Sequence, residues 1–228
     1  LCQGISFQNF ATRNLNFTKE KAPIIPNWTA KKEYLNLGSK RDYVKGEIFP
    51  NILFLGWLEE YKGINELLAA AKLLKLKKYN FHISLAGDGS CKKQIRNYIR
   101  ENNLESHISI IGWIDDSKKI QILAESNIFL LPSWNEGFPN SLIEAMSAGL
   151  ACIVTKVGMI PDFVKNEENC ILISHKNVKE IVLALEKLFE NLQLRQKIAK
   201  NGHLHANLNF RADNGLELLS NEIKNLIN

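Results

Sequence analysis

The sequence predicts an α/β fold: a parallel sheet of about six strands flanked by helices, with a helical C-terminal tail. Three observations lead there. Short apolar runs recur from residue 51 onward, at 51–55, 81–86, 107–111, 128–131, 151–154 and 170–173. Stretches of helical character separate them, at 63–74, 91–102, 117–125, 140–149 and 161–165. Polar or glycine-bearing turns follow the apolar runs. Strands alternating with helices at this spacing are βαβ units, which imply a parallel sheet with right-handed crossovers.

In chain order, residues 1–20 read as the end of a strand followed by a short helix around 7–13. Residues 22–28 are a short extended segment stopped by Pro26 and Asn27. Residues 29–46 are polar and aperiodic apart from Glu33-Tyr-Leu-Asn-Leu37, and read as a connector. The first central strand, 51–55, is apolar on both faces, as a strand covered on both sides must be. The helix after it carries Ile64, Leu67, Leu68, Ala71 and Leu74 on one face. From Val178 the pattern is helix after helix, with breaks expected near Asn191, Asn201-Gly202 and Asn209. The last helix has one apolar stripe of Leu216, Leu219, Ile223, Leu226 and Ile227, suited to packing on this domain or on a neighbouring one.

The 228 residues are 45% hydrophobic and 23% charged, the balance of a globular protein. The net charge of +5 is dispersed, without the sustained basic stripe that nucleic-acid binding needs. No apolar run approaches the roughly 20 residues of a membrane span. No signal peptide is visible, so the sequons at Asn16 and Asn27 carry little weight. Cys2, Cys91, Cys152 and Cys170 form no C-x-x-C pair and no zinc-like spacing with histidine. Cys152 and Cys170 read as small buried residues, and the set fits a reducing cytosol. The expected location is cytoplasmic, with association at an acidic membrane surface left open. The five histidines read as structural. The chain opens on Leu1 and is expected to be a piece of a longer protein.

Function points to Pro132-Ser-Trp-Asn-Glu136-Gly-Phe-Pro-Asn-Ser-Leu-Ile-Glu144-Ala-Met-Ser-Ala-Gly149, a polar turn running from a strand into a helix. Such turns sit at the carboxyl ends of parallel strands, where ligands bind. A helix start presents unpaired N–H groups and a positive dipole end to phosphate. Glu144 has two readings on spacing alone. Ser141-Leu-Ile-Glu144 fits a capping box, with the carboxylate returning to the serine N–H, and the carboxylate equally suits ligand hydroxyls. Glu136 has no such structural explanation beyond exposure. Lys62, before Gly63 at a helix start, either reaches a phosphate or is solvated.

Gly56, Lys62-Gly63, Glu66-Leu-Leu68, Ala86-Gly-Asp-Gly89, Ile111-Gly112, Pro132-Ser133, Glu136-Gly-Phe138 and Glu144-Ala-Met, ending at Gly149, together resemble the nucleotide-binding C-terminal domain of GT-B glycosyltransferases. The resemblance is to the large retaining family, family four, with a Glu-x7-Glu motif, and it covers residues 22–228. It implies a Rossmann-like donor domain over 51–228, a connector over 22–50, and, in 1–21, the end of an N-terminal acceptor-side domain. It implies a nucleoside diphosphate sugar as substrate, no metal and no other cofactor. Glu136 would contact the donor sugar near the reacting centre, and Glu144 would accept hydrogen bonds from the ribose. Amides of Gly137, Phe138 and Asn140, with Ser141 and the helix start, would hold sugar hydroxyls and phosphate. Pro139 has no N–H to offer. Gly56 would line the donor site, Lys62 would offset charge on the leaving diphosphate, and the backbone from Gly112 to Ile114 would pair with the base. The glycan or lipid-linked acceptor would be bound mainly by the N-terminal domain, with nucleic acid playing no part. Relatives commonly carry arginine where this chain has Trp57, so Lys62 acts alone or another cation substitutes. Two rival readings use the same residues: a non-catalytic sugar-nucleotide binding module, and a sugar-nucleotide epimerase of the same fold.

Overall fold

The computed structural model describes residues 1–43 and 49–227, and each apolar run of the alternating region is a strand in it. These are β1 (Asn51–Leu55), β2 (His82–Ala86), β3 (Ile108–Gly112), β4 (Ile128–Leu131), β5 (Ala151–Thr155) and β6 (Ile171–Ile173). They pair in parallel in the order β3-β2-β1-β4-β5-β6. β4 and β5 are buried along their whole length, which is why their sequences show no polar alternation. After β3 the chain returns to the middle of the sheet as β4, beside β1. This reversal is a topological switch point, where a crevice opens beyond the carboxyl ends of the strands.

The helices are α1 (Ile5–Asn14), α2 (Lys32–Lys40), α3 (Ile64–Leu76), α4 (Lys92–Glu101), α5 (Asp116–Glu125), α6 (Asn140–Ser147), α7 (Ile160–Phe163), α8 (Val178–Glu190), α9 (Leu192–Asn209) and α10 (Ala212–Ile227). Helix α3 packs on α4 and α8, while α6 packs on α2 and α9. The expected inner face of α3 is buried at all five positions, Ile64, Leu67, Leu68, Ala71 and Leu74. Cys152 and Cys170 are fully buried free thiols in the same core, as their apolar settings suggested.

Two expectations need correction. The connector contains a full helix, α2, because Tyr34 is buried and α2 packs against α5, α6 and α9. Local propensity does not announce it, and residues 44–48 of the expected connector lie outside the described residues. Second, α9 runs unbroken through Asn201-Gly202. A Cβ at Gly202 would come within 3.2 Å of the Asn169 carbonyl oxygen, so this glycine lets the helix approach its neighbour closely. That contact offsets the roughly 1 kcal/mol a glycine costs inside a helix. Of the apolar stripe of α10, Leu216 and Ile223 are exposed and Leu219 is half-buried, and the helix meets the body at Gly215, against Trp28.

The turn after β1 is locked to the turn after β4. Gly63 has φ +72°, and a Cβ there would lie 2.1 Å from the Pro132 carbonyl oxygen. Both the left-handed backbone and the contact exclude a side chain. Gly63→Ala is therefore expected to destabilise the chain by at least about 1–2 kcal/mol, read from the urea midpoint at unchanged m-value. An unaltered midpoint would show that the two turns are not locked.

Candidate functional site

The site is assembled by turns from five strands, held together mainly through backbone. The turn after β1 ends in one 3-10 turn, Glu60–Lys62. The Trp134 N–H donates to the Tyr61 carbonyl at 2.7 Å, and Trp134 Nε1 donates to Glu66 at 3.1 Å. This docks the turn after β4 onto the start of α3. As a result Lys62 and Glu136, 74 residues apart, meet with Nζ to Oε1 at 2.7 Å. Ser133 Oγ donates to the same carboxylate oxygen at 2.7 Å, and Thr155 Oγ1 at the end of β5 holds the Ser133 carbonyl at 2.6 Å. The side chains of Lys62 and Glu136 are only 15% and 8% exposed. Glu136 is thus a sheltered carboxylate with a fixed orientation. From the other side, a Cβ at Gly158, with φ +57°, would fall 1.8 Å from the Glu136 carbonyl oxygen. The turn after β5 therefore needs glycine to pass beneath it.

Helix α6 begins at the foot of this loop. Its N-cap position is Pro139, with no side-chain cap. Among the described residues, none accepts a hydrogen bond from the N–H groups of Gly137, Phe138, Asn140 or Ser141. An uncapped helix start leaves these donors and the positive dipole end for a ligand. The Phe138 ring turns inward against Phe163 and Phe210 and anchors the loop. Asn27 Nδ2 donates to the Phe138 carbonyl at 2.8 Å and to Asn140 Oδ1 at 2.9 Å. The N-terminal segment thereby fixes the helix start.

Glu144, one face further along α6, is buried and accepts a hydrogen bond from Lys119 of α5 at 3.0 Å. It does not bond back to Ser141, so the capping box is not formed. Burial pushes its carboxyl above the usual carboxylate range, against the opposing pull of the Lys119 hydrogen bond and charge. Lys119 also faces Asp116 at 3.8 Å, and Asp116 pairs with Lys31 at 2.8 Å.

Toward β2 and β3 the edge is closed by backbone: Gly56 N–H to the Ala86 carbonyl at 3.0 Å, and Gly87 N–H to that of Gly112 at 2.8 Å. Above them lies a cavity of about 220 Å³ whose walls include Trp57, Trp113, Ile114, Lys119 and Ser141. Every residue singled out in the sequence therefore lies along one edge of the sheet. Lys119, Asn27 and the side chain of Trp113 were not expected to contribute to the site. Only the two strand-end turns could have hinted at Trp113, and nothing local marks Lys119. Among the described residues there is no group of three or more His, Cys, Asp or Glu able to hold a metal, and no helix long and apolar enough to cross a membrane.

Comparison with known proteins agrees with this architecture. The chain is 29% identical over 202 residues to the uncharacterized glycosyltransferase MJ1178 of Methanocaldococcus jannaschii, covering 89% of this chain and 52% of that one. It is 32% identical over 120 residues to an Escherichia coli UDP-Gal:alpha-D-GlcNAc-diphosphoundecaprenol alpha-1,3-galactosyltransferase, covering 51% of this chain and 30% of the relative. The chain thus spans about half the length of these relatives or less. The crystal structure of Anabaena Alr3699/HepE in complex with UDP and glucose superposes with a TM-score of 0.78 at 17% identity, over 98% of this chain and 62% of that one. The fold is that of GT-B glycosyltransferase C-terminal domains. The family model described as glycosyl transferases group 1 matches residues 39–205, which contain Lys62, Glu136 and Glu144, and the chain belongs to that family.

Proposed function

We propose that this chain is the donor-binding part of a retaining glycosyltransferase that takes a nucleoside diphosphate sugar and serves surface polysaccharide or glycolipid synthesis. The observation that carries the reading is the Lys62–Glu136 pair, held beside an uncapped helix start at the switch point of the sheet. The diphosphate lies on the start of α6, where Gly137, Phe138 and Asn140 offer free amides. Lys62 then leaves Glu136 for the phosphate oxygens. In transfer, the bond between the anomeric carbon and the diphosphate oxygen breaks and its electron pair departs on the diphosphate. Lys62 and the helix start offset that charge. Glu136, freed of its cation, faces the sugar as positive charge develops at the anomeric carbon. The acceptor oxygen attacks from the face that the diphosphate leaves and gives its proton to the departing diphosphate oxygen, which gives retention. Glu144 holds the ribose.

The galactosyltransferase relative supports a nucleotide-sugar donor, and a structural neighbour in complex with UDP and glucose supports the same. The acceptor is bound by a further domain. The half-exposed Ile5, Phe7 and Phe10 of α1 support a partner there. Calorimetric titration of this chain with UDP and with GDP tests the donor site. Saturable binding by at least one of them is expected, and no heat from either at millimolar concentration would overturn the reading.

A further inference from the structure

Two of the four tryptophans are explained by the fold. Trp28 packs against Gly215, and Trp134 donates to Glu66 beneath the Lys176 ammonium. The other two are not. Trp57, just past β1, is 52% exposed, and Trp113, just past β3, is 72% exposed. Exposing this much indole surface is unfavourable unless something covers it. Their ring centroids are 5.6 Å apart with planes tilted by 42°, so they touch as neighbours and form one bent wall over the end of β2. The wall borders the cavity of about 220 Å³. That is below the roughly 300–1,000 Å³ of pockets that enclose a whole drug-sized ligand. It suits a planar ring system, with the rest of the ligand outside.

What adjoins the cavity says which ring. Lys119 is the charged side chain in its lining, and its ammonium is engaged by Glu144 at 3.0 Å. Ser141, in the first turn of α6, completes the wall on that side. A ring seated here leads past a ribose-binding carboxylate toward the phosphate-binding helix start. This is the order base, ribose, phosphate.

We infer that Trp57 and Trp113 are the base-stacking and affinity-determining residues of this donor site, gripping the nucleobase of the nucleoside diphosphate by its π-face. The inference rests on the reading given under Proposed function. It shifts the weight of recognition: at the position of Trp57 the site offers stacking rather than charge. Affinity then depends on the base more than on the diphosphate, and a nucleoside lacking phosphate still binds. Stacking is also less weakened by salt than a phosphate contact.

The test is calorimetry, supported by quenching of tryptophan fluorescence, on this chain and on W57A, W113A, W57F and W113F. The ligands are UDP, GDP, uridine, guanosine and inorganic pyrophosphate. Each alanine variant is expected to lose about 5- to 150-fold in affinity for the preferred nucleotide and its nucleoside alike. The phenylalanine variants should recover most of it. Pyrophosphate binding and melting temperature should not move, since both indoles are more than half exposed. Alanine variants that bind UDP and GDP like the parent would overturn the stacking wall and leave the donor site standing. A parent chain that binds no nucleotide would overturn both. Quenching by a neutral oligosaccharide such as maltose, with none by nucleosides, would assign the wall to the acceptor and also overturn the inference.

Discussion

Replacing Glu136 by glutamine in the complete gene product is expected to lower sugar transfer by at least about 100-fold, with nucleotide affinity held within about 3-fold. The expectation follows from what glutamine keeps. Its carbonyl oxygen can still accept from Ser133 Oγ and from Lys62 Nζ, the two donors now on Glu136 Oε1 at 2.7 Å. The loop after β4 therefore stays where Trp134 and Thr155 pin it. What glutamine removes is the negative charge that the proposed mechanism sets against the sugar as the anomeric carbon becomes electron-poor. One preorganised electrostatic contact of this kind contributes about 10²–10³ in turnover. Glu136→Ala would be less clean. It would leave Lys62, only 15% exposed, without its counter-charge, and stability would fall together with activity. Initial rates at saturating donor, alongside the Kd for the nucleoside diphosphate, separate these effects. A glutamine variant within about 3-fold of the parent rate would remove Glu136 from the chemistry.

What made Glu136 readable in the sequence also marks the limit of such reading. The strands are legible because burial on both faces forces runs such as Ile128-Phe-Leu-Leu131 to be apolar throughout. Turns that bear glycine after those runs are legible for a related reason. Gly63 and Gly158 are required by contacts with the neighbouring loop, and a turn that tolerates no side chain leaves its mark at one position. Helix α2 is not legible. It depends on the burial of Tyr34 and on Gly38 lying against His203, 165 positions further on. The Asn201-Gly202 pair misleads for the converse reason, since a residue that breaks an isolated helix is the one that lets a packed helix come close. At the site, Lys62 and Glu136 could be named one by one, but their direct pairing is a product of loop docking. Glu144 was balanced between a cap and a ligand contact because the deciding partner, Lys119, sits on another helix with nothing in its neighbourhood to mark it.

That partner makes Glu144 the second large effect. Glu144→Ala is expected to weaken nucleotide binding by about 10- to 150-fold, the loss of hydrogen bonds from hydroxyls to a charged acceptor. The pH dependence is the more searching test. Burial raises the Glu144 carboxyl above its ordinary value. In the proposed site, ribose hydroxyls would donate to the ionised form, so affinity should fall as pH drops through that raised value. In Glu144→Gln, affinity should be lower but flat across the same range. Stability of the unliganded chain should move the other way. A carboxyl whose folded value lies above its unfolded value holds its proton longer in the native state. Between the two values the native chain therefore binds more protons than the unfolded one, and stability declines as pH rises across that window. Exposed carboxylates with lowered values, such as Asp116 beside Lys31, impose the opposite slope on the whole protein. The Glu144 contribution must accordingly be read as the difference between the parent and Glu144→Gln in urea denaturation at each pH. A buried acid serving only the fold would produce the stability difference with no matching change in affinity. Only a carboxylate that must ionise to receive a ligand gives two pH dependences of opposite sign from one residue.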